Sequence, residues 1–261
     1  MRIRTNGIEL NCEVQGSGPW VVLSHSLACD LHMWDPQAAL LAADHTVLRF
    51  DTRGHGASGA PAGEYSLDML ADDAKGLLDA LGVTSCHWVG LSMGGMIGQT
   101  FALRHPDVFR TLVLADTASR YPPEARTLWD ARIATAEARG MEPLVEGTIG
   151  RWFSPGFRAA RPELCERIAA TIRTTPAAGY VGCCHALSKL DLTARLKEIA
   201  CPALVIVGEQ DAATPLDMAR EIHNALPGSE LAVIPSAMHL SNVEQPEAFN
   251  RALTGFLAKH R

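Results

Sequence analysis

The stretch Val89-Gly90-Leu91-Ser92-Met93-Gly94-Gly95 decides how the rest of the chain is read. Upstream, Cys86-His87-Trp88-Val89 has the make-up of a short buried strand. Downstream, Met93 to His105 carries no charge before Arg104 and stops at Pro106, as a buried helix would. A G-x-S-x-G between a strand and a helix is the pattern of a nucleophile elbow, a tight strained turn that lifts a serine hydroxyl out of a sheet. Glycines are needed because side chains two residues either side of the serine collide with strand and helix backbone. The same five letters also occur by chance as a glycine-rich turn with an incidental serine. The flanks favour Ser92 as a nucleophile.

Length and composition allow this. The 261 residues, 47% of them apolar, are enough for a large core, as one domain or as a core with an insertion. A formal charge of −6 at pH 7 argues against nucleic-acid or anionic-membrane partners. No apolar run reaches membrane-spanning length, and Met1 to Gly7 lacks the apolar region of a signal peptide. Seven scattered cysteines, without Cys-x-x-Cys spacing, fit reduced thiols packed as small hydrophobes. The expectation is a cytoplasmic protein; nothing in the sequence specifies an oligomeric state.

Outward from the elbow, strand and helix patterns alternate. Arg2 to Val14 reads as a hairpin turning at Asn6-Gly7, and Trp20 to Ser24 as a strand buried on both faces. That strand empties into His25-Ser26-Leu27, placed to lend a backbone N–H to a reaction centre. Helices are expected at Trp34–Ala42 and Ser66–Leu81, the latter with Ser66 as N-cap, and strands at Thr46–Phe50 and Thr111–Ala115. Alternation predicts a mostly parallel sheet. The loop Asp51 to Ser58 is read as self-supporting, with Asp51, Arg53 and His55 satisfying one another and nearby backbone groups.

After Asp116 the character changes. Arg120 to Arg173 is mainly helical and holds nine arginines against seven acids. Residues 117–196 are expected to form a helical cap inserted into an α/β core of 1–116 and 197–261. Strand patterns return at Pro202–Val207 and Glu230–Ile234, separated by a helix from Met218 to Leu226 and closed by one from Pro246 to Lys259.

A serine hydroxyl needs a base. Among ten histidines, His239 follows the last expected strand and so lies at the same sheet edge as Ser92. Asp211 directly follows a buried strand and leads as the acid; Asp116 also ends a strand and is its rival, whereas Asp217 belongs to the next helix. Ser…Asp…His order favours Asp211 and leaves Asp116 as a capping or loop-bonding residue. An oxyanion hole needs two converging amides, expected at Met93 and Leu27, although Ser26 stands where many such enzymes have glycine. No metal-ligand spacing, dinucleotide fingerprint or P-loop is present, and no cofactor is expected.

With these pieces in place, the chain resembles the α/β-hydrolase superfamily from end to end. The matching segments are Asp51-Thr52-Arg53-Gly54-His55-Gly56-Ala57-Ser58, Gly90-Leu91-Ser92-Met93-Gly94-Gly95, Gly208-Glu209-Gln210-Asp211 and Met238-His239-Leu240-Ser241-Asn242. Within it, the chain looks most like the 3-oxoadipate enol-lactonases of bacterial protocatechuate and catechol catabolism. Asp30-Leu31-His32-Met33-Trp34-Asp35-Pro36-Gln37, Ala131-Arg132-Ile133-Ala134-Thr135, Arg151-Trp152-Phe153-Ser154-Pro155 and Gly179-Tyr180-Val181-Gly182-Cys183-Cys184 carry that likeness. Asp116 departs from it, standing where asparagine is expected.

The resemblance implies a small lactone substrate with a free carboxylate, so a cation is wanted in the pocket. On the expected helix from Pro122 to Gly140, Arg126 faces Asp130 as a surface pair. Arg132 instead shares a face with Leu128, Trp129 and Ala136, either snorkelling along it or pointing into the pocket. Trp129 and Trp152 are read as cap packing first and pocket wall second. The triad alone does not separate a lactonase from a carboxylesterase, a carbon–carbon-bond hydrolase or a perhydrolase. Outside enzymes, a small-ligand receptor with a vestigial triad is the remaining reading.

Overall fold

The computed structural model describes residues 1–260. An eight-stranded sheet runs through it, built from β1 (Arg2–Thr5), β2 (Ile8–Gly16), β3 (Trp20–Ser24), β4 (Thr46–Phe50), β5 (Cys86–Leu91), β6 (Phe109–Ala115), β7 (Ala203–Gly208) and β8 (Glu230–Ile234). Their spatial order is β1-β2-β4-β3-β5-β6-β7-β8. β1 and β2 form the antiparallel hairpin turning at Asn6-Gly7, β2 pairs antiparallel with β4, and every other pairing is parallel.

Chain order reverses at β3: it pairs with β4 on one side and β5 on the other. Ligands of open α/β sheets bind at such a switch point, beyond the carboxyl ends of the strands. Ser24 and Gly90 are in register there, so the loops leaving β3 and β5 emerge side by side.

Helices cover both faces. α1 (Asp35–Leu41), α2 (Leu67–Ala80) and α3 (Met93–Arg104) follow β3, β4 and β5 respectively. Ser66 caps α2, its hydroxyl accepting from the Met69 amide at 3.1 Å. Between β6 and β7 lie five helices: α4 (Ala125–Arg139), α5 (Glu142–Trp152), α6 (Pro155–Ala160), α7 (Pro162–Thr174) and α8 (Ala177–Leu187). α9 (Leu216–Ala225), the short α10 (Ser241–Glu244) and α11 (Pro246–Ala258) complete the chain. β5, buried along its whole length, sits mid-sheet; its Trp88 makes edge contacts with Phe50 and Phe101 beneath the elbow.

One local expectation changes. Among the described residues no ion pair joins Arg126 to Asp130 on α4. The Asp51–Ser58 loop is held from within, by the Ser58 hydroxyl donating to the Asp51 carbonyl at 2.6 Å and by His55 Nδ1 facing the Arg53 carbonyl at 3.2 Å, and it is also tied to the rest of the fold. Arg53 forms a buried two-bond pair with Asp73 of α2 at 2.7 Å, and Asp51 accepts from Asn11, the Leu31 amide and the Ala57 amide. Each charge is matched across the fold because burial leaves no water to do it.

Candidate active site

Ser92 sits between β5 and α3 with φ 54° and ψ −113°, a strained backbone for a non-glycine residue. Its surroundings over-determine that turn. The Ser92 amide donates to the Ala115 carbonyl at 2.8 Å, and the Thr117 hydroxyl donates to the Ser92 carbonyl at 2.7 Å. A Cβ at Gly90 would lie 2.1 Å from the Gly94 carbonyl oxygen, and one at Gly94 equally close to that of Ser24. These are backbone collisions that no rotamer relieves, which explains both glycines.

His239 follows β8, and its Nδ1 lies 2.9 Å from Asp211 Oδ2. Asp211 also accepts from the Ala213 and Thr214 amides at 2.7 and 3.0 Å and from the Thr214 hydroxyl at 2.8 Å. Burial alone would raise the Asp211 pKa, but His239 and the Thr214 donors outweigh it and hold the carboxylate below its ordinary value. An ionised Asp211 fixes the imidazole with Nδ1 protonated and Nε2 free to act as a base. Trp152 lies against that imidazole, ring centroids 6.0 Å apart.

Asp116 sits elsewhere in the same network. It adopts φ 44°, a left-handed conformation that aspartate and asparagine tolerate best among ordinary residues. Its Oδ1 accepts from the Gly208 amide at 2.7 Å and its Oδ2 from the Ser241 hydroxyl at 2.5 Å. It therefore ties the end of β7 to the loop carrying His239. Burial, reinforced by the charge of Asp211, pushes the Asp116 carboxyl well above its usual range.

The loop after β3 brings Ser26, Leu27 and Ala28 to the same place as Ser92 and His239, all lining one cavity. The Leu27 amide has no partner among the described residues. The Met93 amide opens α3 and so has no intrahelical acceptor. Ser26 needs no glycine, because the left-handed residue of this loop is Ala28 at φ 60°.

The cavity holds about 920 Å³, including its open mouth. Ser92 and His239 lie on its floor; α4, α5 and α8 supply walls through Trp129, Arg132, Thr148, Arg151, Trp152 and Tyr180. Leu128 also lines it, although half exposed, which sets it at the mouth. The Arg132 guanidinium carbon stands 4.9 Å from the Trp129 ring centroid. Arg151, which the sequence reading did not single out as a site residue, reaches the Thr148 hydroxyl at 3.4 Å, and its Nε is buried without a partner. Burial, then the nearby charge of Arg132, lowers the Arg151 pKa. Among the described residues no aspartate or glutamate lines the cavity, and neither arginine has a carboxylate partner. Two cations facing an apolar chamber without a counter-charge can hold an anion.

Comparison with known proteins identifies the family of the fold. The α/β-hydrolase-fold family profile matches residues 19–246. The 3-oxoadipate enol-lactonase 2 of Acinetobacter baylyi is 37% identical over 94% of this chain and 91% of its own. A Pseudomonas syringae protein assigned as the carbamate hydrolase RutD is 31% identical over 92% of this chain and 94% of its own. The crystal structure of the enol-lactonase from Burkholderia xenovorans LB400 superposes with a TM-score of 0.95 at 37% identity, covering 99% of this chain and 100% of that one. The chain is a hydrolase belonging to the α/β-hydrolase family.

Proposed function

We propose that this hydrolase opens the ring of 3-oxoadipate enol-lactone to give 3-oxoadipate, with residues 117–196 acting as a cap over a core of 1–116 and 197–261. The observation that carries the substrate class is the unpaired Arg132 and Arg151 facing the chamber above Ser92. Such a wall favours a small acyl substrate bearing its own carboxylate over a neutral one. The likeness to the enol-lactonases supports the finer identity.

In this mechanism His239 Nε2 takes the Ser92 proton as Oγ attacks the lactone carbonyl. Asp211 stabilises the imidazolium, and the Leu27 and Met93 amides hold the tetrahedral oxyanion. Collapse breaks the acyl–oxygen bond, and His239 protonates the departing enolate. The enol, still tethered through the acyl chain, tautomerises to the ketone and makes ring opening effectively irreversible. Water activated by His239 then releases the acid from Ser92. Arg132 and Arg151 grip the far carboxylate, with Trp129 and Trp152 as apolar walls; no cofactor takes part.

The carbamate hydrolases among the relatives supply the competing substrate class. Steady-state rates on the enol-lactone, a small carbamate and a neutral aryl acetate separate the readings. The lactone is expected to have the highest kcat/KM by at least about two orders of magnitude, the scale on which buried polar recognition discriminates. Preference for the carbamate or the acetate would overturn the lactonase reading.

A further inference from the structure

Two buried histidines outside the cavity hold the loop that presents the Leu27 amide. His25 and His55 are both fully buried, with ring centroids 5.3 Å apart, and neither lines the cavity. His55 Nε2 accepts the Ala28 amide hydrogen at 2.9 Å, while its Nδ1 faces the Arg53 carbonyl at 3.2 Å. His25 Nε2 accepts the Thr52 amide hydrogen at 2.9 Å, and its Nδ1 faces the Ser26 carbonyl at 2.7 Å. An imidazole nitrogen that accepts from an amide carries no proton, and one that faces a carbonyl must carry one. The four bonds therefore fix both rings as neutral Nδ1–H tautomers. Burial lowers the pKa of each, His55 to about 3.

These contacts fall on both sides of Leu27. Ser26 is fixed by its carbonyl on His25 and its amide on Met33 Sδ at 3.3 Å; Ala28 is fixed by its amide on His55. Leu27 between them keeps a free N–H. Ala28 holds a left-handed φ of 60° in a turn closed by the Cys29 amide donating to the Ser26 carbonyl at 3.1 Å, and the His55 contact adds a restraint on that strained conformation from outside the loop. The restraint is itself anchored, since the segment carrying His55 is pinned to α2 by Arg53–Asp73.

We infer that His25 and His55 are positioning residues that clamp Ser26 and Ala28 so that the Leu27 amide stays aimed at the developing oxyanion. This rests on the proposed oxyanion role of Leu27 and Met93. Preorganised donors are worth most when they need not move during reaction, so loosening this loop should weaken transition-state binding more than substrate binding.

The test compares wild type with His55→Leu and His55→Gln, the second retaining an acceptor for the Ala28 amide. Three readouts are kcat and KM on an aryl acetate, affinity for phenylboronic acid, which adds to serine as a tetrahedral anion, and affinity for a ground-state carboxylate such as levulinate. His55→Leu is expected to lower kcat and boronate affinity together by about 10- to 100-fold, the scale of a misplaced catalytic donor. KM and levulinate affinity stay within about threefold, and His55→Gln recovers most of the loss. Equal boronate affinity in folded His55→Leu and wild type would overturn the inference, as would an equal drop in levulinate affinity.

Should His55→Leu not fold, long-range proton–nitrogen spectra of wild-type imidazoles still decide. They should show both rings as Nδ1–H tautomers at neutral pH, and an Nε2–H form or an imidazolium on either ring contradicts the clamp. Failure of the underlying oxyanion reading is visible separately. It shows as no movement of the Leu27 and Met93 amide resonances when the boronate binds wild type.

Discussion

Asp211 meets His239 at 2.9 Å, whereas Asp116, ending the neighbouring strand, turns to Gly208 and Ser241 instead. The two carboxyls sit in one buried network but have different work to do. Asp211→Asn should lower kcat on the order of 10⁴-fold, as loss of the orienting carboxylate does in serine hydrolases. Asp116→Asn keeps an acceptor for the Gly208 amide, and its amide nitrogen can donate to a reoriented Ser241 hydroxyl, so kcat should fall by less than about tenfold. Steady-state kinetics on an aryl acetate checks both; the reverse ranking would exchange their roles.

Arg151→Met and Arg132→Met should each raise KM for the enol-lactone by about 10- to 100-fold, the worth of one charge-assisted hydrogen bond. The kcat/KM for a neutral aryl acetate should stay within about threefold. A loss equal on both substrates would mean the arginines hold the chamber together rather than the carboxylate.

Gly94→Ala places a methyl 2.1 Å from the Ser24 carbonyl oxygen, where β3, the elbow and α3 meet. Backbone must move, so a destabilisation of about 3 kcal/mol or more is expected together with loss of activity. Thermal unfolding and soluble yield measure it. Gly150→Ala, where the new methyl meets open space in the last turn of α5, should be neutral or slightly stabilising, because alanine favours helix.

Acid stability follows from buried neutral histidines. Burial lowers His55 to about 3 and His87 to about 4, the latter helped by Arg110. The unfolded chain protonates these groups near pH 6.5, before the folded chain does, so it binds more protons below that pH. Stability should therefore fall as pH drops from about 6.5 towards 4, by up to ~1.4 kcal/mol per unit for each such group. His87→Gln should flatten the slope of unfolding free energy against pH in that window by about one proton. An unchanged slope would mean that His87 does not contribute.

Much of this was legible from residues alone, for reasons that can be named. Ser92 directly follows β5, and Asp211 and His239 lie in the loops leaving β7 and β8; strand ends in a parallel sheet share one edge, so order and position already placed the three together. Arg151 was overlooked although a signal existed. Leu144, Thr148 and Arg151 recur at i, i+4 and i+7 on α5, and all three line the cavity. The partners of the Asp51–Ser58 loop were not legible: His55 reaches Ala28 across 27 residues and Arg53 reaches Asp73 across 20. Such pairings depend on how strands stack, which local pattern does not encode. Asp116 is intermediate, since its strand-end position was plain but its tie to Ser241 spans 125 residues.

The proposed reaction is opening of a carboxylate-bearing enol-lactone by Ser92 beneath two unpaired arginines. The most direct measurement is ultraviolet loss of 3-oxoadipate enol-lactone with wild type and Ser92→Ala side by side. Rapid loss is expected with wild type and a rate lower by about 10⁶-fold in the variant, the scale of removing a nucleophile. Equal loss with both proteins, or none with wild type while an aryl acetate is turned over, would contradict the proposed reaction.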